Sequence, residues 1–236
     1  MTGSLEGWFS LLTYSAGIGM KLVEICLSRP NYTVIGSARD DTSPGLAELK
    51  SITPAEGSAL LLVHIDSASA EDPKKAAAAV EAAGVDHVDI VVANAGGSPL
   101  PILPLEEVPM SDLVRDFRTN AAGVLTLFQA FRPLLRRARS PKWASITSAA
   151  GSIGLVGQMN SFILTAYATS KAAQNYLTHH VKSVPGNWLA KRIGLDEAPL
   201  TPEESATAVL KTIDGATREK VLGKLISAMD GAVLPW

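Results

Sequence analysis

The stretch WFSLLTYSAGIGMKLVEICLS, residues 8–28, holds a β-rich run, a glycine-containing turn and a helical pattern in direct succession. Trp8 to Thr13 is typical of a strand, and apolar residues recur at helical spacing from Gly19 to Ser28. Between them, Gly17 and Gly19 would let the backbone approach a pyrophosphate, which the free N–H groups at a helix N-terminus attract. A plain turn without a ligand is the alternative for a glycine-rich segment taken alone.

Short strand-like runs alternate with longer helical patterns over most of the chain, which predicts βαβ units in one doubly wound parallel sheet. Because no linker or repeat interrupts this pattern, residues 1–236 are expected to form one domain. The predicted strands lie within residues 8–13, 32–38, 59–66, 88–97, 143–148 and 224–229. The predicted helices lie within residues 19–28, 43–52, 69–84, 111–139, 165 to about 182, and 201–215.

The composition argues against several classes of partner. The 236 residues are 47% hydrophobic and 19% charged, with a formal net charge of −2, so no basic surplus is present to bind nucleic acid. No apolar run reaches the ~18 residues of a membrane span, and the N-terminal segment lacks the basic region of a secretion signal. The single Cys26 fits a reducing compartment, so a cytoplasmic location is expected.

The end of the second predicted strand distinguishes between dinucleotide cofactors. An acidic residue there would accept a hydrogen bond from a ribose 2′-OH, whereas an arginine suits a 2′-phosphate. The segment GSARD, residues 36–40, places Arg39 at this point and Asp40 beside it. It favours NADP(H), with an ordinary surface arginine as the alternative.

Polar and small residues end the third and fourth predicted strands. Asp66 follows the third, and Asn94, Ala95 and Gly96 follow the fourth. The carboxyl ends of parallel strands line the ligand crevice of such a sheet, so adenine and ribose are expected here. A helix cap is the alternative for Asp66.

The segment TAYATSK, residues 165–171, places Tyr167 and Lys171 four residues apart, on one face of a helix. This spacing is suited to an acid and its charge partner, although a chance pair has the same spacing. His179 and His180 are adjacent and would point in different directions, so a joint metal site is not expected.

Five short motifs occur in order: AGIG (16–19), NAG (94–96), NAAG (120–123), TSAAGS (147–152) and YATSK (167–171). The ordered set resembles the short-chain dehydrogenase/reductase family over nearly the whole chain. The segments GLDEAPLTPEES and DGAVLPW further resemble fungal ketoreductases of the norsolorinic-acid-reductase type. The resemblance implies a Rossmann-like fold and NADPH-dependent reduction of a ketone or aldehyde on an apolar substrate, such as a polyketide-derived molecule.

The resemblance also implies roles for single residues. Tyr167 matches the general acid that protonates a carbonyl oxygen as hydride arrives from the nicotinamide. Lys171 is expected to lower the tyrosine pKa from its ordinary ~10 and to hold the nicotinamide ribose. Ser148 matches the residue that orients the carbonyl, and Asn120 the residue that holds a water in a proton relay; ordinary structural roles are the alternatives.

Cofactor contacts are implied for Ser15, Gly17, Ile18, Gly19, Arg39, Asp66, Asn94, Ala95, Gly96, Tyr167 and Lys171. In this family the long helix at 112–139 and the Tyr167 helix commonly form dimer or tetramer interfaces, which makes a homodimer or homotetramer the expected assembly.

The chain departs from the family pattern at two places. Thr13 and Tyr14 stand where a Thr-Gly pair is normal, and the added Cβ would crowd the phosphate turn. Pro185-Gly186 follows Lys171 within about 15 residues, which leaves no room for a sixth strand after a full helix. Unwinding of the helix end, insertion of the last strand, and a deletion or mis-assembled gene product remain open explanations. The alternative function is therefore a non-catalytic or truncated relative that acts as a cofactor- or partner-binding module.

The segment between Ser148 and Tyr167 is longer than is usual in the family. It contains Met159, Phe162, Ile163 and Leu164, which with the Pro-rich residues 98–109 favour an apolar, aromatic-type substrate. Simple packing of these side chains is an equal alternative.

Overall fold

Strands and helices alternate along the chain in a computed structural model that describes residues 8–13, 17–40, 42, 45–98, 103–158, 164–177, 201–216, 224–227 and 230–236. The described strands are β1 (Trp8–Thr13), β2 (Tyr32–Ala38), β3 (Ala59–His64), β4 (Ile90–Ala93), β5 (Lys142–Ser145), β6 (Leu225–Ile226) and β7 (Val233–Leu234). The described helices are α1 (Ile18–Leu27), α2 (Leu46–Ser51), α3 (Asp72–Ala82), α4 (Met110–Phe117), α5 (Gly123–Arg137), α6 (Thr165–Leu177) and α7 (Pro202–Asp214).

Five parallel strands form the main sheet in the order β3-β2-β1-β4-β5. In this register Leu11 of β1 lies between Ile35 of β2 and Val91 of β4. The strand order reverses between β1 and β4, and a crevice opens beyond the carboxyl ends of strands at such a switch point. The fold therefore directs the ends of β1, β4 and β5 toward a single ligand crevice.

Two separate cores cover the two faces of the sheet. Leu22 and Val23 of α1 pack with Val209 of α7 in one core. Val80 of α3 packs with Phe131 of α5 in the other. Helices on both faces confirm the predicted doubly wound α/β fold.

The third strand differs from its sequence-based prediction. Its continuous apolar run predicts burial on both faces, but only Val63 of β3 is fully buried, because β3 is an edge strand of the described sheet. A parallel edge strand has a neighbour on only one side, so its central leucines stay partly exposed.

The predicted last strand is short and pairs elsewhere. In the parts of the chain that the structure describes, β6 pairs antiparallel with β7 rather than with the five-stranded sheet. Their turn includes Gly231 at a φ of 76°, a conformation that glycine adopts at low cost. The predicted loss of a sixth strand concerns residues 178–200, which lie outside the described residues, as does Tyr14.

The predicted long helix at 111–139 is divided by one wide π-helical turn, Arg118–Ala122, between α4 and α5. Such turns are rare and frequently occur at functional sites. By contrast, the predicted capping box of α7 is confirmed: the Glu204 N–H donates to the Thr201 hydroxyl at 3.1 Å, and the Thr201 N–H donates to the Glu204 carboxylate at 2.8 Å.

Helix α5 begins in direct contact with the turn after β3. A Cβ on Gly123 would lie 2.2 Å from the backbone carbonyl oxygen of Ser67, a distance that no side chain could occupy. The absence of a side chain at this position lets the helix approach the strand ends closely.

We therefore expect Gly123→Ala to destabilise the fold by about 2 kcal/mol, the usual scale for overpacking against backbone. In a chain of this size the melting temperature should fall by about 5 °C. Gly157→Ala is the matched control, since a Cβ at Gly157 meets nothing within 4 Å. Equal melting temperatures for the two variants, measured by differential scanning fluorimetry, would contradict the close packing at Gly123.

Candidate active site

Four residues predicted to take part in catalysis come from separate segments and meet beyond the end of β5. Ser148 follows β5, Asn120 lies in the π turn, and Tyr167 and Lys171 lie on α6. All four side chains are buried. The structure thus brings together groups that are up to 51 residues apart in sequence.

The Ser148 hydroxyl lies near enough to the Tyr167 phenol to lower its pKa by hydrogen bonding. The Ser148 hydroxyl also accepts the Ala150 N–H at 3.2 Å, which caps the short 3-10 turn Ala149–Gly151. A buried serine held by its own turn presents its hydroxyl in one fixed position beside the phenol.

Burial raises the pKa of Tyr167 to about 12. The Ser148 hydrogen bond lowers the pKa, and the negative charge of Asp116 raises it further. Desolvation dominates, so the net pKa of Tyr167 is raised and not lowered as expected from the nearby Lys171. The Lys171 nitrogen lies 5.7 Å from the centre of the Tyr167 ring.

Lys171 is only 3% exposed and is held by two acceptors. Its Nζ donates to the Ile146 carbonyl at 3.0 Å and to the Gln174 side-chain oxygen at 2.7 Å. Both partners are uncharged, so burial lowers the pKa of Lys171 to about 7. The amine therefore titrates near neutral pH.

The side chain of Asn120 joins α6 to the loop after β4. Its oxygen accepts the Gly97 N–H at 2.9 Å. Its amide nitrogen donates to the Gly97 carbonyl at 2.9 Å and to the Ser170 hydroxyl at 2.8 Å. Both amide hydrogens are thus used within the protein, and Asn120 fixes the position of the loop relative to Tyr167 and Lys171.

The loop after β4 passes close to this cluster at Gly96. A Cβ on Gly96 would lie 2.9 Å from the Asn120 side-chain oxygen and 3.1 Å from the Lys171 nitrogen. The absence of a side chain at Gly96 thus lets the loop pass close to Asn120 and Lys171.

The N-terminus of α1 can hold a phosphate. Gly17 precedes the helix with φ 89° and ψ −123°, a conformation that L side chains rarely adopt. It is exposed, whereas Gly19 is buried within α1, which begins at Ile18. No acidic residue occupies the first turn, so the helix N-terminus carries no competing negative charge. Ser15 lies outside the described residues.

Arg39 and Asp66 lie after neighbouring strands. Arg39 is exposed at the end of β2, and Asp40 beside it accepts the Thr42 N–H and hydroxyl. Asp66 accepts the Ala68 N–H at 2.8 Å and so fixes the turn after β3. This bond is not a helix cap, because Glu71 is the N-cap residue of α3.

A shallow depression, open to solvent, lies beside this turn. Its walls come from the ends of β3 and β4, the π turn and the start of α5, and are formed by Ile65, Ser67, Ala95, Thr119, Gly123, Val124 and Leu127. Apolar and small side chains therefore line this part of the crevice at the strand ends.

Comparison with known proteins agrees with this geometry. The short chain dehydrogenase family profile matches residues 11–184, about three quarters of the chain. The chain belongs to the short-chain dehydrogenase family. Both the predicted membership and the resemblance to norsolorinic-acid-type ketoreductases are confirmed.

Individual family members cover nearly the same length. A short-chain dehydrogenase of Neurospora crassa, srdF, is 46% identical, with 93% of this chain and 94% of the relative covered. The norsolorinic acid ketoreductase nor1 of Dothistroma septosporum is 35% identical, with 94% and 90% covered. The crystal structure of an NADPH-bound carbonyl reductase from chicken fatty liver superposes with a TM-score of 0.81 at 23% identity, covering 98% of this chain and 99% of that one.

Other residues of this dehydrogenase contact the site but were not predicted from the sequence. The buried Asp116 accepts the Ser98 hydroxyl at 2.5 Å and Arg115 Nε at 3.2 Å, and its charge acts on Tyr167. Asp116 lies four residues before Asn120, and Gln174 lies three after Lys171. Helical spacing from the motif residues is the signal that would have found both.

Leu164 lies among the described residues, whereas other residues of the predicted substrate loop do not. Leu164 is buried and packs with Ala150 and Tyr167, so its packing alternative holds. Met159, Phe162 and Ile163 lie outside the described residues. In the described parts of the chain, no cluster of three or more His, Cys, Asp or Glu side chains could hold a metal, and the helices there lack the length and apolarity needed to cross a bilayer.

The low pKa of Lys171 has a measurable effect on stability. The unfolded chain keeps the ordinary lysine pKa of 10.5, so between pH 7 and 10.5 the unfolded state binds the extra proton and stability rises with pH. From pH 6.5 to 8.5 the gain should be on the order of 2 kcal/mol, or about 5 °C in melting temperature.

Lys171→Met should lose this pH dependence of stability, and at pH 6.5 it should be more stable than the wild type. Lys74→Met, at an exposed lysine, is the control that should keep the wild-type profile. Thermal melts without nucleotide at both pH values measure the effect, and parallel profiles for wild type and Lys171→Met would show that Lys171 is charged in the fold.

Proposed function

We propose that this short-chain dehydrogenase reduces a ketone or aldehyde on an apolar substrate, with NADPH as reductant and Tyr167 as general acid. The observation that carries the proposal is the buried cluster of the Ser148 hydroxyl, the Tyr167 phenol and the Lys171 amine beside the crevice at the strand ends. The two hydroxyls can hydrogen-bond to a carbonyl oxygen and protonate it, and the amine can help to return a proton to the phenol.

When bound, the dihydronicotinamide supplies the hydride that the carbonyl carbon accepts. Ser148 donates a hydrogen bond to the carbonyl oxygen, and Tyr167 transfers its phenolic proton to the same oxygen. The product is an alcohol, and Tyr167 is left as a phenolate. Ser148 and a protonated Lys171 then stabilise the phenolate charge until a proton returns.

Tyr167 holds the proton that reduction requires. Its pKa, raised to about 12 by burial and by the charge of Asp116, keeps the phenol protonated at neutral pH until the carbonyl oxygen takes the proton. Asn120 uses both amide hydrogens within the protein. A water of the proton relay would therefore bind to the carbonyl oxygens of Asn120. Lys171, with a pKa of about 7, would exchange protons with that water.

Several observations support NADPH as the cofactor. The exposed Arg39 at the end of β2 offers a guanidinium for a 2′-phosphate, and Gly17, Ile18 and Gly19 offer a helix N-terminus for the pyrophosphate. Among the structural neighbours, the chicken carbonyl reductase is NADPH-bound.

Relatives and exposed side chains support the substrate class and the assembly. The norsolorinic acid ketoreductases among the relatives act on a ketone by name. Exposed Ile153 and Val156 provide apolar surface for such a substrate in the turns after Ser148.

The expected assembly is a homodimer or homotetramer. Exposed Val114 on α4 and exposed Phe128 on α5 support it. The buried Cys26, whose pKa is raised to about 11, is consistent with work in the cytoplasm.

The central test measures NADPH consumption with a panel of aromatic ketones, and the loss of NADPH absorbance monitors the reaction. Tyr167→Phe should lower the rate by about 10²- to 10⁴-fold, because the proton donor is lost while the ring is kept. Tyr176→Phe is the matched control on the same helix, at an exposed phenol. Tight NADPH binding without turnover by the wild type would favour the non-catalytic binding module instead.

The cofactor preference has its own test. Arg39→Ala should weaken NADPH binding by about tenfold or more, the scale of a charged hydrogen bond, and leave NADH binding unchanged. Arg136→Ala, at another exposed arginine, controls for net charge. Nucleotide fluorescence titration measures both affinities, and an equal loss for NADH and NADPH would argue against a 2′-phosphate contact at Arg39.

A further inference from the structure

The segment Pro235–Trp236 lies against the turns that follow Ser148. The Ser152 hydroxyl donates to the Pro235 carbonyl at 2.6 Å, and the Gly154 N–H donates to the Trp236 carbonyl at 2.8 Å. Ser152 is only 1% exposed. These two bonds join regions more than 80 residues apart and do not depend on the identity of the side chains at 235 and 236.

The contact is also tight. A Cβ on Gly154 would lie 2.9 Å from the Pro235 ring and 3.2 Å from the Trp236 carbonyl oxygen. Glycine is therefore needed at position 154 for the two backbones to meet. The segment itself is anchored by the β6–β7 pairing and by the Ser227 N–H, which donates to the Ala232 carbonyl at 2.8 Å.

The opposite side of the same turns rests on α6. A Cβ on Gly151 would lie 2.6 Å from the Lys171 backbone, and the Asn175 amide donates to the Gly151 carbonyl at 3.2 Å. Asn175 also accepts the Thr147 hydroxyl at 2.6 Å, directly before Ser148. Residues 147–154 are thus held between α6 on one side and Pro235–Trp236 on the other.

We infer that Pro235–Trp236 is a positioning element that holds Ser148 at a fixed distance from Tyr167. The inference rests on the proposed function, in which Ser148 orients the substrate carbonyl. Without this contact the turns would lose one of the two anchors seen among the described residues, and the Ser148 hydroxyl would no longer be fixed in position. The rate of the chemical step depends on the position of Ser148 more than nucleotide binding does, because the proposed phosphate and adenine contacts lie on other strands.

The test compares Gly154→Ala with Gly157→Ala, the same change three residues apart in the same segment. The added methyl pushes on Pro235 in the first variant and meets nothing within 4 Å in the second. We expect Gly154→Ala to lower kcat about tenfold with an NADPH Kd within about twofold of wild type. Ser152→Ala should also lower kcat, whereas Gly157→Ala should leave both kcat and the NADPH Kd unchanged.

Hydrogen exchange over residues 148–156 separates this inference from the proposed function. Exchange should be faster in Gly154→Ala and Ser152→Ala than in Gly157→Ala, whether or not the wild type turns over a ketone. A wild type without NADPH consumption would overturn the proposed function, and the contact would then be judged by exchange alone. Equal exchange in the two glycine variants, equal kcat, or a loss of NADPH affinity that matches the loss of kcat would overturn the positioning role.

Discussion

The hydrogen bond from the Lys171 amine to the Ile146 carbonyl ties α6 to the end of β5, and the arrangement of the site depends on it. Gln174 donates to the same carbonyl at 3.2 Å, so two side chains of one helix meet one strand end. The helix can approach this closely because Gly151 has no side chain where the Lys171 backbone passes. Tyr167, one turn before Lys171, is thereby brought to Ser148.

Burial, rather than pairing of opposite charges, sets the electrostatics of this cluster. In water a tyrosine and a lysine titrate within about one pH unit of each other. Here the pKa of Tyr167 is raised to about 12 and that of Lys171 is lowered to about 7. A neutral phenol beside a neutral amine is favoured over a phenolate–ammonium pair, because the protein supplies uncharged acceptors and few compensating charges.

Local patterns predicted much of this architecture. Strands β1 and β2 begin and end at the predicted residues, and the capping box of α7 follows from Thr201 and Glu204 alone. The ordered motifs also place Ser148, Asn120, Tyr167 and Lys171, which the structure brings together. These features depend on residues near one another in sequence or on a fixed strand order.

What the sequence could not predict depends on contacts between distant segments. The edge position of β3, the pairing of β6 with β7 and the burial of Asp116 follow from packing, which no local pattern encodes. The direction of the Tyr167 pKa was missed for the same reason, since spacing shows that Lys171 is near but not how much water is excluded. The same burial that makes phenolate costly lowers the pKa of Lys171 to about 7, so the amine can exchange a proton at neutral pH. A proton lost from Tyr167 can therefore be balanced by charge on Lys171, one helical turn away.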